Sequence, residues 1–435
     1  MKFASRLHPN DQATFRQALF SGIAPDGGLY HPVDHPDLSA LIAAFDESVT
    51  FNDVAAGVTA ALLTPEIDEA AARRIAGRAF SFAPRLVRID GGRLLLELFH
   101  GPTCAFKDFG ARFLAASMEE LLEGERCQIL VATSGDTGSA VANAFHNRAN
   151  IDVILLYPSG RVSALQEQQL TTLGGNVHAI EVRGSFDDCQ RLVKAAFRDR
   201  RLRAALRLTS ANSINIGRLL PQSFYFIHAA AQRRVLSDAP PRFCVPSGNF
   251  GNLTAGLYAW HWGMEAAGFL AATNINDVVP DYLKSGVYTP RPSLRTLSNA
   301  MDVGHPGNFE RMEQLFDGDW RGMKAVVGSG VVDDERTLWS MHQLHSRFGM
   351  LVDPHTAVGC AVAQDFIEGS KRGGEQVVVL ATAHPGKFAE TVKKATGHEP
   401  ELPERLARCL ALPKQALAMG PELAELSTFL LERFA

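Results

Sequence analysis

The chain has 435 residues, too many for one ordinary core, and its 43 lysines and arginines against 47 acidic residues leave a net charge of only -4. That balance gives no electrostatic case for a nucleic-acid or anionic-membrane partner. No apolar run is long enough to cross a bilayer, the first residues turn polar at once, and six cysteines lie scattered without C-x-x-C spacing. A cytoplasmic, soluble protein with free thiols is the expectation.

Residues 1–92 read as short helices joined by turns. An apolar stripe over 13–20 predicts a helix, and Pro25-Asp26-Gly27-Gly28 is turn chemistry. Thr64-Pro65 predicts another helix start, with a capping hydroxyl followed by proline at the first helical position. After Gly92 the rhythm changes. Apolar runs at 94–98, 128–132, 153–156, 177–182, 243–246, 269–272 and 376–381 suit buried strands. Helical segments at 111–122, 139–146, 186–197, 219–231 and 254–262 lie between them. The alternation predicts an α/β fold with mostly parallel sheets and helices on both faces. The polar stretch 232–241, ending in Pro240-Pro241, is the candidate crossing between two lobes, and 402–434 reads as helical.

Three Gly-rich turns each follow a strand and open a helix, where ligands of open α/β sheets bind. In Ser247-Gly248-Asn249-Phe250-Gly251-Asn252 the glycines let backbone N–H groups turn inward, so a phosphate fits without a lysine. A tight turn with no ligand is the competing reading for that segment taken alone. Thr133-Ser134-Gly135-Asp136-Thr137 crowds oxygen-bearing side chains at a helix start, suited to an anion or a ring hydroxyl and equally to an ordinary cap. Thr382-Ala383-His384-Pro385-Gly386-Lys387 has the Gly-Lys of a P-loop without its earlier glycine, and no G-x-G-x-x-G follows a strand, so nucleotide readings fall. Lys107, between Phe106 and Phe109 at a predicted helix start, is the fourth feature. Burial there disfavours the ammonium and makes the amine a better nucleophile and base.

Taken in order along the chain, these segments resemble the motifs of the threonine synthases, a fold-type II family of pyridoxal-phosphate (PLP) enzymes. The resemblance covers nearly the whole chain. It includes Phe15-x-x-Ala18 running into Ala24-Pro-Asp-Gly-Gly-Leu-Tyr30, Leu98-Phe-His-Gly-Pro-Thr103 before the lysine, Tyr157-Pro158, and the stretches 166–175, 210–218, 272–279 and 298–303. It implies two open twisted α/β lobes, a large PLP-binding domain from 93–115 and 232–435 and a small domain 116–231, plus a helical N-terminal segment 1–92. Lys107 would carry PLP as a Schiff base, with Phe106 beside it. Ser247, Gly248, Asn249, Phe250, Gly251 and Asn252 would cradle the cofactor phosphate. Thr382 would face the pyridine nitrogen, and a hydroxyl there leaves the ring largely unprotonated. Asp136 would sit near the ring hydroxyl, while Thr133, Ser134, Gly135 and Thr137 would lie over the substrate carboxylate. Ser213, Asn215 and Arg218 would grip a substrate phosphate, which suits arginine's planar fork.

The implied reaction turns O-phospho-L-homoserine and water into L-threonine and phosphate, with a mobile lobe excluding water until elimination is complete. No metal is implied, and monomer and homodimer both fit. Ala105 stands where many relatives have Ser, Asp136 where other fold-type II branches have Asn, and Phe3-Ala-Ser-Arg-Leu-His replaces a Tyr-x-Ser-Thr-Arg-Gly tract. Another fold-type II lyase, a dehydratase or phospholyase, would keep Lys107, the cradle and Thr382 without needing Ser213 and Arg218. A catalytically silent PLP-binding paralogue is the reading from a different class. Beside the motifs, His100 reads as structural, His384 and Lys387 as neighbours one step removed from the ligand, Asp108 as a helix-start charge and Cys104 as packing.

Overall fold

The computed structural model describes residues 1–133, 135–234, 239–370 and 375–435. Two sheets organise them. The larger runs, in spatial order, Val327–Val331, Gly268–Thr273, Arg242–Pro246, Val377–Ala381, Arg93–Glu97 and Arg85–Arg88. All neighbours in it are parallel except the last pair. The smaller runs Ala416–Met419, Val177–Val182, Ile151–Pro158, Cys127–Ala132 and Leu208–Thr209, parallel throughout. Val377–Ala381 and Cys127–Ala132 are buried along their whole length, as strands covered by helices on both faces must be, and this explains their unbroken apolar runs.

The helix Lys107–Leu121 packs against the N-terminal helix Glu69–Ala79 on one side and against the helices Asp136–Phe145 and Ile216–Leu219 on others. Its inner face is nearly all apolar, from Phe109 to Met118. Phe109 meets Phe51, Phe82 and Tyr225 with ring centroids 5.2, 5.0 and 5.5 Å apart, each edge to face, the arrangement that aromatic quadrupoles favour. Phe113 stacks on Phe80 and meets Phe224 edge-on. The N-terminal helices Phe51–Leu63 and Glu69–Ala79 are thereby seated against the helix that begins with Lys107.

The predicted strands and helices all occur, with shifted ends and several differences. Helix 219–231 is two helices, Ile216–Leu219 and Gln222–Arg233, divided at Pro221, which has no N–H to continue the first. Thr64 does not open a helix. It ends Phe51–Leu63, its hydroxyl donating back to Ala60 O at 2.8 Å, and Asp68 caps the next helix by accepting from Ala71 N. Thr64-Pro65 is a cis peptide. The segment 402–434 is not wholly helical: it holds the strand Ala416–Met419 between helices Glu404–Leu410 and Leu423–Phe434.

That strand also changes the domain division. Ala416–Met419 pairs with Val177–Val182, and Leu426, Leu430 and Phe434 pack into the core of the smaller sheet with Cys189, Leu192 and Leu202. The chain end therefore belongs with the smaller lobe and not with a domain spanning 232–435. Likewise Arg85–Arg88 lies in the larger sheet, ahead of the expected boundary at 93. Of the predicted crossing 232–241, residues 235–238 lie outside the described residues. Leu430→Ala, at a wholly buried site, is expected to destabilise the smaller lobe by about 2–5 kcal/mol in denaturant titrations followed by far-UV circular dichroism.

Candidate active site

Strand order places the site. Val377–Ala381 lies between Arg242–Pro246 and Arg93–Glu97, so the segments leaving their carboxyl ends are neighbours: Thr382 in the middle, the 247–252 turn on one side, the approach to Lys107 on the other. Pairing continues past the strands. Leu98 N donates to Ala381 O at 3.0 Å, Phe106 N to Thr382 O at 2.9 Å, and His384 N to Cys104 O at 3.0 Å. Ala105 and Ala383 form an antiparallel bridge.

The turn before the lysine is organised by Asp108. Its carboxylate accepts from Thr103 N at 2.9 Å and Thr103 Oγ1 at 2.7 Å, in a wholly buried position. Burial pushes that carboxyl up and the Thr103 bonds oppose it. Asp108 is thus a buried clasp and not merely a charge at a helix start. A side chain at Gly101 would collide with it, a Cβ there falling 2.4 Å from Oδ2. Cys104, in the left-handed region at φ 57°, accepts a hydrogen bond from Arg405 Nε at 2.9 Å.

Lys107 Nζ lies 4.9 Å from the Phe106 ring centroid and 3.9 Å from Asp136 Oδ2. Burial lowers the pKa of its amine, Asp136 opposes that, and Lys387 and Arg218 reinforce it. Asp136 begins the helix Asp136–Phe145 of the smaller lobe, and its Oδ1 receives Lys387 Nζ at 2.7 Å and Gln166 Nε2 at 3.3 Å. Burial would raise the Asp136 carboxyl, but Lys387 and Lys107 outweigh it and hold the group far below the usual carboxylate range.

Within the same loop Thr133 is turned to its own backbone: Oγ1 accepts from Gly135 N at 3.1 Å and Gly138 N at 2.9 Å. Its expected place over a substrate is therefore taken by a loop-closing role. Gly135 has φ 152°, where a Cβ would also meet the Gln166 side chain. Thr137 lies half-buried beside them, and Ser134 lies outside the described residues.

The 247–252 turn is built to present N–H groups. Ser247 Oγ donates to Asn252 Oδ1 at 2.8 Å, and Asn252 Nδ2 donates to Pro246 O at 2.8 Å, so these two side chains lock the turn. Phe250, left-handed at φ 60°, leads into the helix Gly251–His261. Among the described residues the N–H groups of Gly248, Asn249 and Phe250 find no backbone acceptor. Beside Gly251 lies the buried Asn308 Nδ2, which has no hydrogen-bond partner. Unmet donors around a helix N-terminus fit a phosphate dianion.

Asn249 links this turn to the predicted phosphate grip, its Nδ2 donating to Ser213 Oγ at 2.6 Å and leaving that hydroxyl proton free to donate. Arg218 is buried, with Nη1 on Ala211 O at 2.5 Å and Nε without a partner. Burial lowers its pKa to about 10. A hidden guanidinium with an unmet N–H suits an incoming anion. Asn215 is a different matter. Its amide donates to Leu19 O and Ser210 O, both at 2.9 Å, and its Oδ1 accepts from Gly217 N at 2.9 Å. It has no N–H left for a substrate and acts by shaping the loop that carries Ser213 and Arg218.

Several supporting residues have no signal in the sequence. Arg311 is buried inside the helix Phe309–Leu315 and donates to Tyr30 O at 2.8 Å, Ile214 O at 2.7 Å and Asn308 Oδ1 at 2.6 Å. It ties the N-terminal segment to the Ser213 loop. His355 Nδ1 meets Asp353 Oδ1 at 2.7 Å, and its Nε2 accepts from Ala300 N at 3.1 Å, which fixes the proton on Nδ1. Ala300 O in turn abuts Gly248, and Thr356 Oγ1 accepts from Thr382 N at 3.3 Å. Asp353 before Pro354 is a legible helix cap, but its pairing is not. His100 rests on Glu97 at 2.8 Å, a structural role. His384 accepts from Gly386 N, and burial and then Arg405 lower its pKa to about 4.

This geometry agrees with known proteins. The family model described as pyridoxal-phosphate dependent enzyme matches residues 81–383, and those described as threonine synthase N terminus and threonine synthase, C-terminal match 2–80 and 356–430. The chain is accordingly a PLP-dependent enzyme of fold type II. Within that class it belongs to the threonine synthase family. It is 42% identical to the threonine synthase of Haemophilus influenzae over 98% of both chains. The crystal structure of the Escherichia coli threonine synthase shares 40% identity and a TM-score of 0.90, covering 99% of this chain and 100% of that one. The PLP-bound threonine synthase of Brucella melitensis shares 35% identity and a TM-score of 0.91, covering 100% and 99%. Its cofactor is PLP, for which the unmet donors of the 247–252 turn and the buried amine of Lys107 are suited.

At Gly248 a Cβ would fall 2.7 Å from both Ala300 O and Met301 Cα, backbone atoms that cannot swing aside. Gly248→Ala is expected to weaken PLP binding about tenfold or more, read by equilibrium titration of the apoprotein.

Proposed function

We propose that Lys107 holds PLP covalently and that the chain converts O-phospho-L-homoserine and water to L-threonine and phosphate. The observation that carries the reading is the Lys107 amine, its side chain only 17% exposed and 3.9 Å from Asp136 Oδ2, on a segment whose Phe106 N pairs with Thr382 O, which follows the strand beside the one leading into the 247–252 turn. On this reading a cofactor phosphate would sit at the 247–252 turn and a substrate phosphate at Ser213 and Arg218. PLP, when bound, supplies the electron sink for bond breaking at the substrate's Cα and Cβ.

The chain's own residues account for the rest. With PLP and substrate bound, Lys107 would be the base that takes a proton from Cα and then from Cβ, and desolvation favours the neutral amine that this needs. The Cγ–O bond breaks and phosphate leaves. Water oxygen then bonds to Cβ, and protons return at Cγ and Cα. Arg218 and the free hydroxyl proton of Ser213 hold the leaving phosphate, and Arg218 neutralises charge as it develops. Thr382 would face the pyridine nitrogen of PLP, and a hydroxyl there, unlike a carboxylate, would supply no fixed counter-charge to the ring. A small-molecule substrate and a cytoplasmic location belong to this reading. Among the described residues no helix is long and apolar enough to cross a membrane.

Borohydride reduction followed by peptide mapping is expected to fix the cofactor on Lys107, and Lys107→Ala to lower phosphate release from O-phosphohomoserine by about 10³-fold or more. Label on another residue, or normal turnover by the variant, would refute the assignment. Arg218→Met is expected to lower kcat/KM for O-phosphohomoserine by about 10²-fold, in line with the loss of a desolvated charged contact. Faster turnover of L-serine or O-phosphothreonine than of O-phosphohomoserine would turn the reading to a dehydratase or phospholyase.

A further inference from the structure

Lys387 is among the most enclosed lysines of the chain, its side chain 1% exposed, yet none of the roles above uses it. It follows the strand Val377–Ala381 of the larger sheet, in the short 3-10 turn Pro385–Phe388. Its Nζ reaches across the cleft to Asp136 Oδ1 at 2.7 Å and donates to Thr103 O at 2.9 Å. Asp136 starts a helix of the smaller lobe, so the ion pair joins the two lobes at the cofactor lysine. The two carboxylate oxygens are treated differently. Oδ1 is taken by Lys387 and Gln166, whereas Oδ2 is left 3.9 Å from Lys107 Nζ, too far for a direct hydrogen bond and close enough for strong Coulomb attraction in a buried setting.

We propose that Lys387 is a positioning residue for the reaction: it fixes Asp136 across the cleft as a half-neutralised anion and so sets how strongly the nitrogen of Lys107 holds its proton. An uncompensated carboxylate at this distance would keep that nitrogen protonated and unfit to act as a base. With Asp136 uncharged, Lys387 and Arg218 would outweigh the one other carboxylate acting on Lys107, that of Asp353. The pair supplies the intermediate field. Burying three charged groups together is costly, and a tether needing only strength would be served as well by apolar contact. The remaining charges that act on Lys107 are Arg218, from the helix Ile216–Leu219, and Asp353, at the start of the helix Pro354–Gly369. Neither changes in the variants below, so they form a constant background.

The inference rests on Lys107 being the residue that carries PLP, so borohydride labelling of the wild type comes first. Its failure at Lys107 would remove that assignment and this one together. With labelling established, the test is the pH titration of the visible absorbance band of the cofactor-loaded enzyme, without substrate. Loss of Lys387 leaves Asp136 unopposed, which favours the protonated nitrogen, so Lys387→Met is expected to move the midpoint upward by about one pH unit or more. Asp136→Asn removes the anion and is expected to move it downward. Lys387→Arg, which keeps the charge, is expected to stay with wild type, and Asp136→Asn combined with Lys387→Met to fall between the single variants. A purely structural tether would lower the melting temperature in the single variants and leave the midpoint in place. Coincident midpoints for wild type and Lys387→Met, in protein that retains the band, would overturn the proposal while leaving the role of Lys107 intact. If Lys387→Met does not fold, Asp136→Asn decides alone: a midpoint that fails to move downward overturns it.

Discussion

The site depends on one backbone constraint: the continued pairing of the Lys107 approach with the 381–384 segment beyond the ends of their strands. Three hydrogen bonds and a bridge run from Leu98–Ala381 to Cys104–His384. They fix the start of the Lys107 helix relative to Thr382 within the tolerance of a hydrogen bond. Asp108 then closes the turn from inside, and the left-handed backbone at Cys104 lets the chain double back. Lysine and threonine thereby become one rigid unit although they are far apart in sequence.

Around that unit the two lobes contribute opposite kinds of chemistry. The larger lobe supplies Thr382 and the 247–252 turn, whose backbone N–H groups are held in place by Ser247 and Asn252 and would need no reorganisation to meet a phosphate. The smaller lobe supplies Asp136, and the chain leading from Leu208–Thr209 supplies Ser213 on its loop and Arg218 in the helix Ile216–Leu219 that follows. Polar contacts between the parts include Lys387 with Asp136, Asn249 with Ser213, and Arg311 with Ile214. Each joins a cofactor-side element to a substrate-side element, so a relative shift of the lobes is felt directly at the charged groups of the cleft.

Much of this was legible in the sequence. Fully buried strands such as Val377–Ala381 and Cys127–Ala132 announce themselves because burial on both faces demands an unbroken apolar run. Turns that hold a ligand through the backbone need glycine and small polar residues at set places, which made Ser247–Asn252 readable. Ala416–Met419 escaped notice because it is largely exposed at a sheet edge. Thr64-Pro65 misled because a hydroxyl before proline serves equally to end a helix or to begin one, and only the chain's path decides between them. The family resemblance points Asn215 at a substrate phosphate, whereas its amide faces carbonyls of Leu19 and Ser210.

Residue type and order along the chain by themselves determined the α/β class and the family, the first from the rhythm of apolar runs and the second from an ordered set of motifs spanning nearly the whole chain. Tertiary structure alone decided that the chain end joins the smaller lobe, that Arg311 and the Asp353–His355 pair brace the loops, and that Lys387 faces Asp136 beside Lys107. These last are meetings of side chains up to hundreds of residues apart. A buried charge has no local signature, because what makes its burial tolerable is a partner that only the folded chain brings within reach.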